Sequence, residues 1–178
     1  MNNLNGFLGV EFGSSQETTK EKLQDRFGGN LNVNSSDSDY LFYDLITFGG
    51  RQSEYLLLSF LDDKFAKATV IIKPKLESKI IETYKTIKKE INEKYFVSLK
   101  DYELYDYPYE ENDGHTESAI SLGKVTFSTY WNFQNSGLEE DCISVEITED
   151  LEIRISYENS DLITQIINRH NQKNSLDY

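Results

Sequence analysis

The stretch from residue 75 to residue 95, KLESKIIETYKTIKKEINEKY, places its apolar side chains at the spacing of an α-helix. Successive apolar positions are separated by four, four, three, four and four residues; they are Leu76, Ile80, Tyr84, Ile87, Ile91 and Tyr95. Because an α-helix has about 3.6 residues per turn, all six side chains lie on one face. The pattern predicts a helix from about 76 to 95 that packs against another layer of structure.

Three strand candidates precede this helix, at residues 40–48, 54–61 and 65–72. Pairing the last two across the turn at 62–64 produces one apolar face. That face is lined by Leu56, Leu58, Phe60, Ala66, Ala68 and Val70. Pro74 ends the third strand, because proline has no amide to donate to a neighbouring strand.

Three further strand candidates follow the helix, at residues 124–133, 142–148 and 151–157. Their apolar residues alternate, which is typical of strands with one buried face. We expect Glu146 opposite Arg154 and Ile147 opposite Ile153, since a shift by one pair would oppose two glutamates. The outward residues of this set are Thr126, Ser128, Tyr130, Ser144, Glu146 and Arg154.

Two more helices are predicted near the ends of the chain. The first covers about 15–27, where Ser14 and Glu17 can form a capping box and Gly28 offers a left-handed exit. Its inward residues are Thr19, Leu23 and Phe27. The second covers about 160–171 and is capped by Asn159 or Ser160. Its inward residues are Leu162, Ile163, Ile166 and Ile167.

The order of these elements predicts an α+β protein in which a helix followed by three strands occurs twice. The two units span about 7–73 and 76–158, the terminal helix spans 160–171, and all form one compact domain over 1–178. Strands grouped in this way favour an antiparallel sheet that the helices cover on one face, leaving the other partly open. Twelve tyrosines and ten phenylalanines supply core volume although the chain is only 38% apolar.

The net charge of −13 lies entirely in the second half of the chain. Residues 1–89 hold twelve acidic and twelve basic side chains, whereas residues 90–178 hold nineteen acidic and six basic ones. A surface of this kind repels phosphate backbones, so we expect no nucleic-acid partner, and it attracts basic proteins. The alternative is that the charge only keeps the protein soluble.

Residues suited to catalysis do not form a recognisable pattern. Cys142 follows three acidic residues, which oppose the thiolate and so raise the pKa of the thiol. His115 and His170 lie in a loop and near a helix end without a partner pattern, and no G-x-S-x-G motif occurs. These features favour a protein that is not an enzyme without deciding the question, and we expect no catalytic residue and no cofactor.

A calcium loop is the sharpest metal hypothesis, because EENDG at 110–114 resembles the turn of such a loop. With Gly114 at the sixth position, Tyr109 and Ile120 fall where acidic ligands are needed, so we expect no metal. A single cysteine excludes an internal disulfide, and neither a signal peptide nor a transmembrane segment is recognisable. A cytoplasmic location is the default expectation, although an exported protein that has lost its leader would look the same.

The stretch DYELYDYPYEENDGH, residues 101–115, holds four tyrosines and six carboxylates without a lysine or arginine. Alternation turns Tyr102 and Leu104 one way and the tyrosines of 105–109 the other, and Pro108 confines the strand to a sheet edge. One interpretation is an edge strand whose rings lie over the sheet. The other is a patch that binds Lys or Arg of a partner by charge and cation–π contact. Its binding residues are Tyr105, Tyr107, Tyr109, Glu110, Glu111 and Tyr130.

The segment GVEFGSSQETTKEKLQDRFG, residues 9–28, followed by strands, a second helix and more strands, resembles the tandem-repeat β-lactamase inhibitor proteins. It is also similar to single-repeat outer-membrane assembly lipoproteins with a related helix-and-sheet unit. The resemblance implies a sheet that presents aromatic and acidic side chains to a protein partner, here Tyr130 and the tyrosines of 105–109. The chain departs from the family because it lacks the family's disulfides and a secretion signal.

These observations favour a non-catalytic protein-interaction module, inhibitor-like or immunity-like, whose partner is a basic protein. The alternative is a carbohydrate-binding or small-molecule-binding protein, or a hydrolase, that uses the same aromatic and carboxylate residues. A closed pocket of at least about 300 Å³ would favour this alternative. A purely structural subunit would instead show an exposed apolar patch.

Overall fold

A computed structural model describes residues 3–134 and 140–175 of the 178-residue protein. Within these residues there are eleven strands and four α-helices. In chain order they are β1 Gly6–Phe7, β2 Val10–Glu11, α1 Gln16–Phe27, β3 Tyr40–Asp44, β4 Thr47–Phe48, β5 Arg51–Gln52, β6 Tyr55–Leu61, β7 Lys64–Ile72, α2 Ile80–Lys94, β8 Lys100–Tyr105, α3 Thr116–Ser121, β9 Val125–Phe133, β10 Asp141–Ile147, β11 Ile153–Glu158 and α4 Ser160–Ser175.

Seven of the strands form one antiparallel sheet in the order β3-β6-β7-β11-β10-β9-β8. The expected α+β class and antiparallel sheet are confirmed. At the centre β7 pairs with β11, with Val70 opposite Ile155 and Ile72 opposite Ile153. Two small hairpins, β1–β2 and β4–β5, lie outside this sheet.

The predicted register of the last hairpin is confirmed. Glu146 lies opposite Arg154, whose Nη1 donates to the glutamate Oε1 at 2.8 Å, and Ile147 lies opposite Ile153. The β6–β7 pair also keeps its expected apolar face, with Leu56 opposite Val70 and Leu58 opposite Ala68. A register shift after Ser59 then brings Phe60 opposite Phe65.

Helix α2 packs on one face of the sheet through Ile80, Tyr84, Ile87 and Ile91, which are all buried. The Tyr84 ring meets Phe127 of β9 edge-on, with 5.7 Å between centroids. The prediction that Leu76 belongs to the same stripe is wrong. Residues Glu77–Lys79 form a 3-10 turn before the helix begins, and Leu76 is 63% exposed.

Helix α1 covers the same face, since its Phe27 ring packs edge-on against Tyr43 of β3. Its predicted stripe of Thr19, Leu23 and Phe27 is buried. The cap differs from the prediction, because Ser15 rather than Ser14 accepts the hydrogen bond from the amide of Thr18. The left-handed exit is also wrong: Gly28 has a φ of −55° and continues into a 3-10 turn.

Two segments depart from the expected pattern of elements. The predicted strand 40–48 breaks at Leu45, which has a φ of +49°, so the chain leaves the sheet and forms the β4–β5 hairpin. Helix α3 was not expected, and it buries Ala119 and Ile120 beside β9.

Helix α4 begins where the Asn159 side chain accepts a hydrogen bond from the amide of Leu162 at 3.1 Å. Farther along, Arg169 reaches the β6–β7 turn and donates to Asp62 at 2.8 Å. Of the four residues expected to face inward, Ile167 is 52% exposed and the prediction is wrong for it. The other three are half-buried: Leu162, Ile163 and Ile166.

The sheet face opposite α1 and α2, here called the open face, is partly exposed as expected. Thr126 and Arg154 on this face are exposed, and Ser128 is buried. The remaining expected residues are half-buried: Tyr130, Ser144 and Glu146. Among residues 3–134 and 140–175, no helix is both long and apolar enough to cross a membrane.

Candidate functional site

The two edges of the large sheet differ in how their backbone groups are used. Along β3, the Phe42 amide donates to the Ser36 hydroxyl at 3.0 Å, and its carbonyl accepts from Asn32 at 2.8 Å. The loop before β3 therefore covers that edge. β8 pairs with β9 on its inner side, and its outer side has no strand beside it in the described chain. The free edge of the sheet is β8.

The pairing of β8 with β9 determines which backbone groups point outward. The backbone amide of Asp106 donates to the Lys124 carbonyl at 2.8 Å, and this pair continues the register that places Tyr102 opposite Ser128. In an antiparallel ladder, hydrogen-bonded residue pairs alternate with pairs that are not hydrogen-bonded. Every second residue of β8 therefore turns its amide and carbonyl away from β9. These residues are Asp101, Glu103 and Tyr105, and their backbone groups make no hydrogen bond to the rest of the described chain.

On the open face, this edge carries exposed rings and an exposed aliphatic side chain. Tyr102 is 44% exposed, and Leu104 beside it is 58% exposed. The Tyr102 ring meets Tyr130 of β9 edge-on, with 6.2 Å between centroids. These three side chains form a continuous aromatic and apolar row next to the free strand edge.

On the helix-covered face, the Asp101 side chain connects β8 to α2 and β9 by hydrogen bonds. Its carboxylate accepts from Lys88 of α2 at 2.8 Å and from the Thr129 hydroxyl at 2.7 Å. Burial opposes ionisation, but the hydrogen bonds from Lys88 and Thr129 outweigh it and lower the pKa of Asp101. The Tyr84 hydroxyl extends this network to α2, and its burial raises the pKa of that phenol.

Tyr105 is turned toward the interior. It is half-buried on the helix-covered face, and its ring meets Phe127 edge-on with 6.3 Å between centroids. Its hydroxyl donates to Glu103 at 3.0 Å. Burial first, and then the Glu103 carboxylate, raises the pKa of Tyr105 to about 12. Tyr105 therefore packs the edge strand onto the core.

The other tyrosines expected to bind lie in different places. Tyr109 is half-buried against the core, whereas Tyr107 is 92% exposed. Tyr130 faces the open side of the sheet. The single surface expected around Tyr105, Tyr107, Tyr109 and Tyr130 is thus divided. Tyr105 and Tyr130 point to opposite faces of the sheet because side chains alternate along a strand, and Tyr107 and Tyr109 lie beyond the end of β8.

The acidic loop after β8 is organised by Asp113. Its carboxylate accepts from the amides of Glu110 at 3.1 Å and His115 at 2.7 Å, and these bonds lower its pKa. Glu110 and Glu111 are exposed. No three His, Cys, Asp or Glu side chains of the described ranges are grouped so that they could hold a metal ion.

The sequence predicts an edge strand at β8, but the binding residues it indicates are Tyr105 and the tyrosines and glutamates that follow, not the outward backbone and the open-face side chains of β8. The residues of the strand edge are Asp101, Tyr102, Glu103 and Leu104, and together with Tyr130 of β9 we call them the β8 edge surface. The signal was present in the alternation of Tyr102 and Leu104 and in the edge position that Pro108 predicts. The sequence does not indicate which of the two rows of alternating side chains faces the helices.

Concave sites on the described part of the chain include two small ones. A pocket of about 260 Å³ lies between α4 and strands β3 and β6, and another of about 240 Å³ lies between α1 and α2. Wider grooves of about 420 and 630 Å³ are lined mostly by polar side chains. The two smaller pockets fall below the 300 Å³ or so typical of sites for drug-sized ligands, so only a smaller molecule fits either of them.

No protein-family model matches this chain, and no match is found among curated proteins or solved structures. The resemblance to the β-lactamase inhibitor proteins therefore stays a prediction.

Proposed function

We propose that this protein is a non-catalytic interaction module that binds a basic protein partner at the β8 edge surface. The observation that supports this most is the free outer edge of β8 beside exposed rings and carboxylates. In this role the protein would occupy a site on its partner, as an inhibitor or immunity protein does.

The free edge favours binding by strand addition. Asp101, Glu103 and Tyr105 each offer one outward amide and one outward carbonyl, which an extended partner segment can pair with. An unprotected edge tends to pair with other chains, and proteins commonly cover such edges. The loop over β3 does this at the other edge, and the contrast supports a binding role for β8.

Charge favours a basic partner. Glu103, Asp106 and Glu110 form no ion pair with any described residue. Carboxylates left without cations at an exposed edge attract lysine and arginine and raise the association rate. Tyr102 adds an exposed ring that can receive these cations.

The same charges disfavour a second copy of this chain as the occupant. An antiparallel pair of β8 strands centred on Glu103 would place that residue against itself. Centring the pair on Tyr102 would oppose Asp101 to Glu103. Like charges directly opposite each other destabilise a strand pair, so these two registers of self-pairing are disfavoured.

The two faces of β8 define the pattern of the partner segment. Side chains of the added strand on the helix-covered side meet Glu103, which forms no ion pair with a described residue, and this favours lysine or arginine. Partner side chains on the open side meet Tyr102 and Leu104, which favours apolar residues. We therefore expect the partner to offer an extended segment in which basic and apolar residues alternate.

The test uses a short peptide that alternates lysine and valine, with a glutamate–valine peptide as control, and measures binding by NMR chemical shifts. We expect the basic peptide to perturb β8, and its association rate to fall as salt rises from about 0.05 to 0.5 M. No binding of the basic peptide at low salt would overturn the proposal.

A pair of variants separates strand addition from simple charge attraction. Glu103→Pro removes an outward amide that makes no bond within the protein, so the fold should persist while strand addition is blocked. Glu103→Gln removes the charge and keeps the amide. We expect loss of binding in the first and weaker binding in the second; equal binding of wild type and the proline variant would contradict the proposal.

We also propose that the fold consists of two related units within one domain, about 7–73 and 76–158. The strand order supports this, because β3, β6 and β7 run inward from one edge and β9, β10 and β11 run inward toward them. Each set follows a helix, α1 or α2, on the same face. β8 is an additional strand of the second unit, and it forms the free edge.

A further inference from the structure

A pocket of about 240 Å³ lies between α1, α2 and the β4–β5 hairpin, above the centre of the sheet. We call it the α1–α2 pocket. Its apolar lining combines strand and helix residues: Leu8, Phe48, Ile72, Ile87, Ile91 and Ile155. It stands over β7 and β11, so two further strands, β10 and β9, separate it from β8.

The rim of this pocket carries Arg26, Arg51, Lys94 and one carboxylate, Glu90. Glu90 is fully engaged, because Arg51 donates to its two oxygens at 2.8 and 2.7 Å. The hydrogen bond from Arg51 lowers the pKa of Glu90, so this carboxylate stays ionised and held in place. It therefore does not neutralise the other cations of the rim.

Arg26 and Lys94 are exposed, and neither forms an ion pair with a described residue. The Arg26 guanidinium lies 5.4 Å from the Phe27 ring centroid, and the Lys94 ammonium lies 5.0 Å from that of Tyr95. Two cations without a counter-ion thus border an apolar cavity, in a protein whose net charge is −13.

From this arrangement we infer that the α1–α2 pocket binds a small organic anion, a carboxylate that carries a compact apolar chain or ring. The apolar part packs on Ile72, Ile87 and Ile155, and the carboxylate meets Arg26 and Lys94. A cationic amphiphile is repelled by the rim. A sugar would find few hydrogen-bonding groups on the apolar lining, so its hydroxyls would lose their water without replacement.

The size of the pocket limits the ligand. A volume of about 240 Å³ holds a molecule with on the order of ten non-hydrogen atoms. Octanoate is a probe of this size and chemistry, and octan-1-ol and octylamine match its chain with a neutral and a positive head group. The inference concerns a site away from β8, so it stands or falls separately from the proposed partner binding.

The test is a titration of the full chain with each of the three probes, followed by calorimetry and by NMR of the isoleucine methyl groups. We expect saturable octanoate binding at millimolar concentration or below, weaker binding of octan-1-ol and weakest binding of octylamine. The shifts should centre on Ile72, Ile87, Ile91 and Ile155. Absence of saturable octanoate binding, or shifts centred elsewhere, would overturn the inference.

Variants of the rim test the role of charge. The double change Arg26→Gln and Lys94→Gln should weaken octanoate binding about tenfold or more, as expected for two lost charge-assisted contacts, and leave octan-1-ol binding unchanged. Lys89→Gln is the matched control, since this exposed α2 lysine pairs with Glu93 away from the pocket. Equal weakening by the control and the rim variants would contradict the inference.

Discussion

Tyr84 of α2 and Thr129 of β9 share a buried hydrogen bond of 2.6 Å. Because the Thr129 hydroxyl donates its own proton to Asp101, Tyr84 must be the donor of the pair. Asp101 in turn accepts from Lys88 of α2. One chain of hydrogen bonds therefore joins α2, β9 and β8, and it holds the free edge of the sheet against the core.

Loss of the Tyr84 hydroxyl and loss of the Thr129 hydroxyl should lower the free energy of unfolding by different amounts. Tyr84→Phe removes one donor and should lower the free energy of unfolding by about 1 kcal/mol. Thr129→Val leaves the buried Tyr84 hydroxyl without its acceptor and takes a donor from Asp101, so it should cost about 2 to 3 kcal/mol. Urea unfolding measures both, with exposed Thr126→Val as the control; a larger loss in Tyr84→Phe would contradict this order.

Low pH should remove the contribution of the ionised Asp101 carboxylate to the free energy of unfolding. Its pKa in the folded protein lies below the ordinary value of 3.8, so its stabilising effect is present above about pH 4 and is lost as the pH falls through the lower folded value. The difference in free energy of unfolding between wild type and Asp101→Asn should therefore shrink from pH 7 to about pH 3. A difference that stays constant over this range would show that the ionised carboxylate is not responsible.

Asn92 should be sensitive to the loss of its side-chain oxygen. That oxygen accepts from the indole of Trp131 at 2.9 Å and from the amide of Ser98 at 3.1 Å. Asn92→Leu should cost about 1 to 3 kcal/mol, because it leaves the Ser98 amide without this acceptor and weakens the bonding of the indole. Asn92→Asp keeps the acceptor and should cost less. Fluorescence of the single tryptophan during urea unfolding measures both; equal losses would argue against the hydrogen bonds.

Cys142 should react slowly in the folded protein. Burial, and then the charge of Glu158, raises the pKa of its thiol to about 11, so little thiolate is present at pH 8. We expect a disulfide reagent such as DTNB to modify the native protein far more slowly than the urea-unfolded chain. The native rate should still rise with pH above 8; a rate equal to that of the unfolded chain would be inconsistent with this environment.

Local patterns in the sequence predict much of the fold. The apolar period of α2 identifies Ile80, Tyr84, Ile87 and Ile91, and opposite charges on Glu146 and Arg154 select the register of β10 and β11. These features depend on neighbours along the chain or on one short hairpin. Helix ends are less accurate, since Ser14 and Ser15 are equally good caps and only the structure selects between them.

The candidate site was only partly predictable. Tyr130 lies on the open face and β8 on a sheet edge, as the sequence indicates. Tyr105 could not be placed, because rings occur on both sides of its strand and alternation does not tell which side meets a helix. The pairing of Tyr102 with Tyr130 depends on strands separated by α3 and its loops.

The sequence by itself determined the longer helices and strands, their order and the two faces of most of these strands, because these follow from the spacing of apolar side chains. Only the tertiary structure decided that β7 meets β11 at the centre, that the loop before β3 covers one edge, and that β8 is left free. It also brought Arg26 and Lys94 to one pocket. Such relationships join residues far apart in the chain, and they are selected by the packing of the whole core rather than by any local pattern.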